Sequence, residues 1–519
     1  MGESPKPSAV VRSPGSTDSE RKLAVLCERT FLNLWSYPNV FRNQGQGPGG
    51  KGDGKELVDL LVICGDDLLL FSDKAIGLDS EAQNLNVAWS RWFRKAVAES
   101  AKQLRGAERW ISSFSDRIFL DRKCTQKLVL SLPPVPQRRV HRIVVASGAN
   151  EACKKYLGNT RGTLAVVPSI VGDAHVNPEL SGYQPFSVGD LDPAQPFVHV
   201  FDDIALETLL TELDTITDFV QYLTRKEVLV RSGNLARAAG EEELLAYYIR
   251  HIDSDGIHRF APPSGDESWA PEERLVLVEG MWRSAQANPQ FVAKKAADRI
   301  SYFWDDLIFA FTGHLLAGTS ILSADTSVDD IEKAVRLMAL ESRFRRRVHA
   351  EAIMGAIKRA PPDKIWQRVF MGMDVDLAYV FVQFPYLEFM KPDYEGYRHA
   401  RREYLLGYCL SVFSRLRQVK RIVGIAMEPA RHAGERSSED LMLMEPPEWN
   451  DALEAEAREF MAHFNLGQAV EVQQSRVLEY PDPPTRSDPR PPNGSRQKQR
   501  QKRQRRREQR KARRKNRGR

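Results

Sequence analysis

The sequence predicts an α/β (mixed α+β) fold, and three features of the 519-residue chain carry that expectation. Ser19 to Leu34 sets Leu23, Leu26, Cys27, Thr30, Phe31 and Leu34 at helical spacing. Two apolar β-type runs, Leu57 to Ile63 and Leu68 to Ser72, flank the turn Cys64-Gly65-Asp66-Asp67 and read as a hairpin. Val375 to Gln383, Tyr394 to Arg417 and Ile422 to Met427 then alternate strand, helix and strand. With 42% hydrophobic residues the chain can bury two or three compact regions.

Taken in order, a polar leader (1–18) gives way to the first helix, for which Ser19 is the expected N-cap. The Gly-rich stretch 44–54 leads into the hairpin. Ser80 to Trp110 returns to helical spacing through Trp89, Trp92, Phe93, Ala96, Val97 and Leu104. Strands are expected at Arg117 to Leu120, Lys127 to Leu132 and His141 to Ala146, closing a domain over 19–150. A middle region (151–330) is irregular to Pro196. It is then helical at Ile204 to Leu223, Glu241 to Ile252, Glu272 to Ala287 and Val292 to Leu316. A second α/β region (331–480) opens with a helix at Val328 to Lys358 and ends with a helix at Pro447 to Phe464 and a strand at Val470 to Val477. The Pro-rich linker and polybasic tail fill 481–519. No repeat with a period of 20 to 50 residues is present.

Charge is unevenly placed. Arg496 to Arg519 holds 15 Lys or Arg, Arg505, Arg506 and Arg507 among them, against the single acid Glu508, a net of +14. Subtracting that from the whole-chain +6 leaves −8 for the rest. Like charges at that density repel, and without Leu, Ile, Val or Phe the arm cannot repay the entropy of ordering, so it is expected to be disordered alone. Its partner must be a polyanion, with nucleic acid, DNA or RNA, the expectation; with no aromatic residue to stack on bases, contact is to backbone phosphate and is salt-sensitive.

Five scattered cysteines with no C-x-x-C pair argue against a disulfide framework or a zinc cage and fit a reducing compartment. The first 20 residues lack an apolar run, and no window holds 18 uncharged apolar residues, so neither a secretory signal nor a membrane span is expected. A cytoplasmic protein, drawn by its arm to nucleoid or ribosome, follows from these together.

Gly45-x-x-x-x-Gly50-Lys51 and Gly49-x-x-x-x-Gly54-Lys55 approach a phosphate loop. Gly52 and Glu56 stand where a Ser or Thr should hold magnesium, and a helix precedes the loop, so it reads as a flexible connection. His199 near Asp202 reads as a strand histidine followed by a helix-capping aspartate. Glu212, Asp214 and Asp218 read as a polar helix face, and Arg343 to Arg347 (RFRRR) as a basic one.

The hairpin carries the chemistry. ELVDLLVICGDDLLLFSDK puts Asp59 at the start of one apolar strand and Lys74 at the end of the next, and alternation gives Leu70, Ser72 and Lys74 one face, Leu69, Phe71 and Asp73 the other. Together with the helix, hairpin, helix and strand order, this resembles the PD-(D/E)xK nuclease superfamily, the restriction-endonuclease-like fold, over roughly residues 20 to 150. The resemblance implies that an acid on one strand and an acid-x-Lys on the next surround Mg²⁺. That ion activates water while the lysine stabilises developing charge.

Carried over by position, Asp59 is the metal acid and Lys74 the lysine, Glu28 of the first helix joins the metal shell, and Gln103, with Ser100, borders the site. Arg91, Arg94 and Lys95 would hold backbone phosphates. The departure is Ser72, where the family has Asp or Glu. Glu56 or Glu28 could replace that acid, a bulge could turn Asp73 inward, or the domain could bind without cutting. Two functions stay open: a nucleic-acid-binding protein capable of Mg²⁺-dependent phosphodiester hydrolysis, and a non-catalytic nucleic-acid or ribosome-associated protein on a degenerate nuclease fold.

Overall fold

The structure, a computed structural model, describes residues 10–44, 46, 52–158, 160–254, 256–316, 328–429, 439–466 and 477–483. The chain opens with α1 (Asp18–Phe31). Its N-cap is Thr17 rather than Ser19, the Thr17 hydroxyl accepting from the Glu20 amide. Next come β1 (Ser36–Arg42), β2 (Lys55–Cys64), β3 (Asp67–Ala75) and α2 (Leu85–Phe93). One π-helical turn, Arg94–Ala98, joins α2 to α3 (Glu99–Ser113). After β4 (Ile118–Phe119) and β5 (Arg139–Ser147) follow α4 (Asn150–Leu157), β6 (Ala165–Val166), β7 (Ser187–Val188), β8 (Val198–Phe201) and α5 (Asp203–Glu212).

Six of these strands form one mixed sheet in the order β4-β1-β2-β3-β5-β8. β1, β2 and β3 are antiparallel neighbours, whereas β5 pairs parallel to β3 and β8 parallel to β5. A parallel neighbour needs a long crossover, and the α2–α3 rod supplies it. The alternation of β3 then sorts the two faces. Leu69 and Phe71 pack with Leu23, Cys27 and Phe31 of α1, while Leu68 and Leu70 pack with Trp89, Trp92, Phe93 and Leu104 of the rod.

The rest of the chain adds α6 (Ile216–Ser232), β9 (Leu235–Ala238), α7 (Glu241–Tyr248), β10 (Leu275–Leu277), α8 (Met281–Ala287), α9 (Pro289–Asp298), α10 (Tyr302–Leu316), α11 (Val328–Ala339) and α12 (Arg343–Arg359). It then forms β11 (Trp366–Met371), β12 (Leu377–Gln383), α13 (Tyr394–Arg415), β13 (Arg421–Met427), β14 (Glu439–Met444) and α14 (Asp451–His463). A second mixed sheet runs β10-β9-β6-β7 and a third β11-β12-β13-β14, its central pair parallel across α13. The protein is therefore mixed α+β, with one apolar core continuous from α1 to β13.

Several expectations change. β1 goes unforeseen because Pro38 and Asn39 interrupt its pattern; they are tolerated at a register shift beside Val40, where Asn39 takes φ +47°. The helix expected at 272–287 divides into β10 and α8, since Leu275, Val276 and Leu277 alternate buried, exposed, buried. The single helix expected over 204–223 breaks at Leu213, and Thr215 caps α6. Of 127–132, only Lys127 bridges to the sheet. The strand expected at 470–477 lies, but for its last residue, outside the described residues, as do most of the Gly-rich stretch and the whole basic arm.

The basic stretch on α12 is the largest reversal. Arg343, Arg346 and Arg347 are buried, not solvated. Arg343 Nε meets Asp214 Oδ1 at 2.7 Å, Arg346 Nη1 meets Asp305 Oδ1 at 2.6 Å, and Arg347 Nη1 meets Asp298 Oδ1 at 2.9 Å. Positions 343, 346 and 347 share one helical face, and acids distant in the sequence make that face internal. Asp214, read as part of a polar face, is buried with it, and Asp218 is half-buried, accepting from the Arg343 amide at 2.8 Å.

Candidate functional site

The β2–β3 ladder runs from Cys64↔Asp67 to Leu60↔Phe71 and stops there, although β3 stays paired with β5 through Ala75. On the other side of β2, β1 shifts register at Val40/Phe41. β3 thus leaves β2 next to Asp59, while β1 stays paired with β2 through that shift as far as Lys55. The Asp59 carboxylate takes over the missing ladder bond, its Oδ2 accepting from the Asp73 amide at 2.6 Å.

Asp59 is 3% exposed, and its pKa is pushed up to about 6. Burial is the main cause, opposed by the Asp73 amide and the Lys74 charge and reinforced by Glu56 and Glu20. The side chain of Lys74, half-buried near the end of β3, makes no hydrogen bond or ion pair among the described residues. Asp73 is also raised, first by burial and then by the charges of Glu20 and Asp203, against the pull of Ser19 and Lys74. β3 carries no bulge, so Asp73 keeps to the α1 face, and Oδ2 has no hydrogen-bond partner. Ser72, fully buried, points with Lys74 toward the α2–α3 rod, its hydroxyl unpartnered. Continuing the register sets Asp59 opposite Ser72.

Two residues at this site escape sequence reasoning. Asn39 donates one amide hydrogen to Glu20 Oε2 and the other to Glu56 Oε1, both at 2.8 Å, and its own Oδ1 accepts from the Ser13 hydroxyl at 2.8 Å. Burial would raise Glu20, yet hydrogen bonds from Asn39, Ser16 and Thr17 hold it below its ordinary value. The left-handed backbone of Asn39 aims this amide, and an Asn inside an apolar run is the one signal the sequence offers.

The expected residues divide accordingly. Asp59, Lys74 and Glu56 come together, Glu56 exposed at the rim. Glu28 does not join them: it lies eight residues beyond Glu20, about 12 Å along the helix axis, where it pairs with Arg12 at 3.3 Å. Gln103 is half-buried on α3, one turn beyond the fully buried Ser100, whose hydroxyl is also unpartnered. Arg91, Arg94 and Lys95 are exposed on the outer side of α2 and the π turn, free of ion pairs among the described residues. Arg505, Arg506 and Arg507 lie outside those residues. His199 is buried between Phe197 and Phe201, and Asp202 caps α5, Oδ1 accepting from the Ala205 amide at 2.8 Å.

A resident Mg²⁺ needs oxygen ligands, and even a sparse site uses one or two ionised carboxylates with substrate phosphate. Here Asp59 is buried with one oxygen already committed to the Asp73 amide, and the neighbouring Glu56 lies at the exposed rim, one oxygen held by Asn39. Among the described residues no three His, Cys, Asp or Glu are grouped to hold a metal ion. The donor set does not fit, and no hydrolytic step follows from it. No family model, curated protein or solved structure gives a significant match to this chain. No helix among the described residues is long and apolar enough to cross a membrane.

Proposed function

We propose that this chain is a nucleic-acid-binding protein whose N-terminal domain resembles the PD-(D/E)xK nucleases and holds nucleic acid without cutting it. The observation that carries this is the carboxylate count on the Ser72–Lys74 face, with Ser72 where the second acid belongs and Asp73 on the opposite face. The arm, +14 on a remainder of −8, supports the choice of a polyanion. The catalytic alternative rests on one observation, the nearness of the Lys74 charge to Asp59, a buried acid whose affinity for a proton is perturbed.

Incubating the full chain with circular, linear and single-stranded DNA and with RNA, in Mg²⁺ or Mn²⁺, tests both. Retention at low salt without loss of substrate is expected. Substrate loss abolished by Asp59→Ala and by Lys74→Ala would establish the nuclease instead, and no retention of any of them at low salt would end the nucleic-acid reading.

A further inference from the structure

The outer side of α2 faces a cleft of about 460 Å³. Asn86, Arg91 and Arg94 line one wall, and Asp173, Asn177 and Pro178 the other. The buried arginines are consumed by acids, Arg142 by Glu108, Arg343 by Asp214 and Asp305, Arg401 by Asp440. Arg91 and Arg94 form no ion pair among the described residues, not even with Asp173 across the cleft. Each guanidinium keeps its full fork of donors, the group best matched to a phosphate.

The cleft is built beforehand. Trp89 Nε1 donates to the His175 carbonyl at 3.0 Å and the Ser90 hydroxyl to the Val176 carbonyl at 2.7 Å, fastening the far wall to the helix. His175 is itself fixed, Nε2 accepting from the Gly189 amide at 3.0 Å and Nδ1 meeting the Gly172 carbonyl at 2.8 Å. The π turn begins at Arg94, and such turns gather at functional sites.

We infer that this cleft is a phosphodiester site taking one nucleotide unit of a single strand. The inference rests on the nucleic-acid reading above and deepens it. The volume falls in the range of small-ligand clefts, far short of a duplex. Asn86, Asp173 and Asn177 offer amide and carboxylate groups to a base edge. The buried side of the same helix, with Trp89, Trp92 and Phe93, stands between the cleft and the Ser72–Lys74 face. A phosphate held by Arg91 and Arg94 is therefore kept about a helix diameter, roughly 10 Å, from that face, and binding here is uncoupled from Asp59.

The test is fluorescence anisotropy of a labelled single-stranded oligonucleotide and of its duplex, titrated with the full chain across a series of salt concentrations. Arg91→Gln/Arg94→Gln is compared with the wild type and with Lys102→Gln, an exposed position further along the rod that serves as control. The double variant should bind the single strand about tenfold more weakly at low salt. Its log K against log salt slope should be shallower by about 0.7 to 1.4, one or two phosphates' worth. The control and the duplex should change little. Wild type that binds neither ligand at low salt would defeat the nucleic-acid reading and this site with it. Wild type that binds, with an unchanged slope in the double variant, would defeat the site alone, and an equal loss on duplex would defeat the single-strand assignment.

Discussion

Asp59→Asn isolates what it costs to hold a carboxylate at the end of the β2–β3 ladder. Burial raises Asp59 from its ordinary 3.8 to about 6. Two pH units at about 1.36 kcal/mol each make roughly 3 kcal/mol. The sign follows from proton uptake: the folded state binds the proton more tightly, so this group's favourable contribution is complete below about pH 4 and lost as pH rises through about 6. An asparagine carbonyl can still accept from the Asp73 amide, so the substitution removes the charge and keeps the bond. The variant should equal the wild type near pH 4 and exceed it by up to about 3 kcal/mol at pH 8.

A chain of this size does not unfold as one unit, so hydrogen exchange of the β2–β3 amides at several pH values reads the local gain directly, with thermal unfolding beside it. Asp73 and Asp202 are raised too, but they are common to both proteins and cancel in the difference. Lys74→Gln should move the loss of stability to higher pH, because the Lys74 charge opposes the raising of Asp59. A variant less protected than wild type at pH 8, or a difference that does not shrink toward pH 4, would refute the account.

Ser72→Glu would place a second carboxylate on the Lys74 face; the apoprotein should lose stability, and Mn²⁺ should raise the Tm of the variant but not of the parent. Indifference to Mn²⁺ would show that Ser72 is not the missing ligand. Arg346→Met leaves the Glu341 and Ala339 carbonyls unpaired and Asp305 with Arg343 alone, so a loss of about 3 to 5 kcal/mol in urea unfolding is expected. Arg345→Met, on the same helix but without an ion pair, should stay within about 0.5 kcal/mol. Burial would raise Glu479, but His258 and Lys294 bring it down to about 2, so its contribution is present above about 4.5 and lost only as pH falls through about 2. Glu479→Gln should free the segment 477–483 at neutral pH, seen as faster proteolysis near Tyr480, whereas wild type should resist until strong acid.

Where a pattern is local, the sequence was legible. The hairpin, the rod over 85–113 and the strand, helix and strand over 377–427 follow from periods of two and 3.6, and the capping role of Asp202 from its place before α5. What misled was a pattern with two meanings. A stripe of arginines at 343, 346 and 347 has the same spacing whether it meets water or Asp214, Asp305 and Asp298, and those acids arrive from other parts of the chain.

The site divides along the same line. From the residues alone came the arm's charge, the alternation that sets Ser72 and Lys74 on one face and Asp73 on the other, and the lack of an acid at 72, because composition and strand period depend only on near neighbours. Only the tertiary structure placed Glu20 and Asn39 beside Asp59 and left Glu28 out of reach. A helix docks on a sheet at a depth and angle set by side-chain packing, and a single turn of sliding exchanges one glutamate for another.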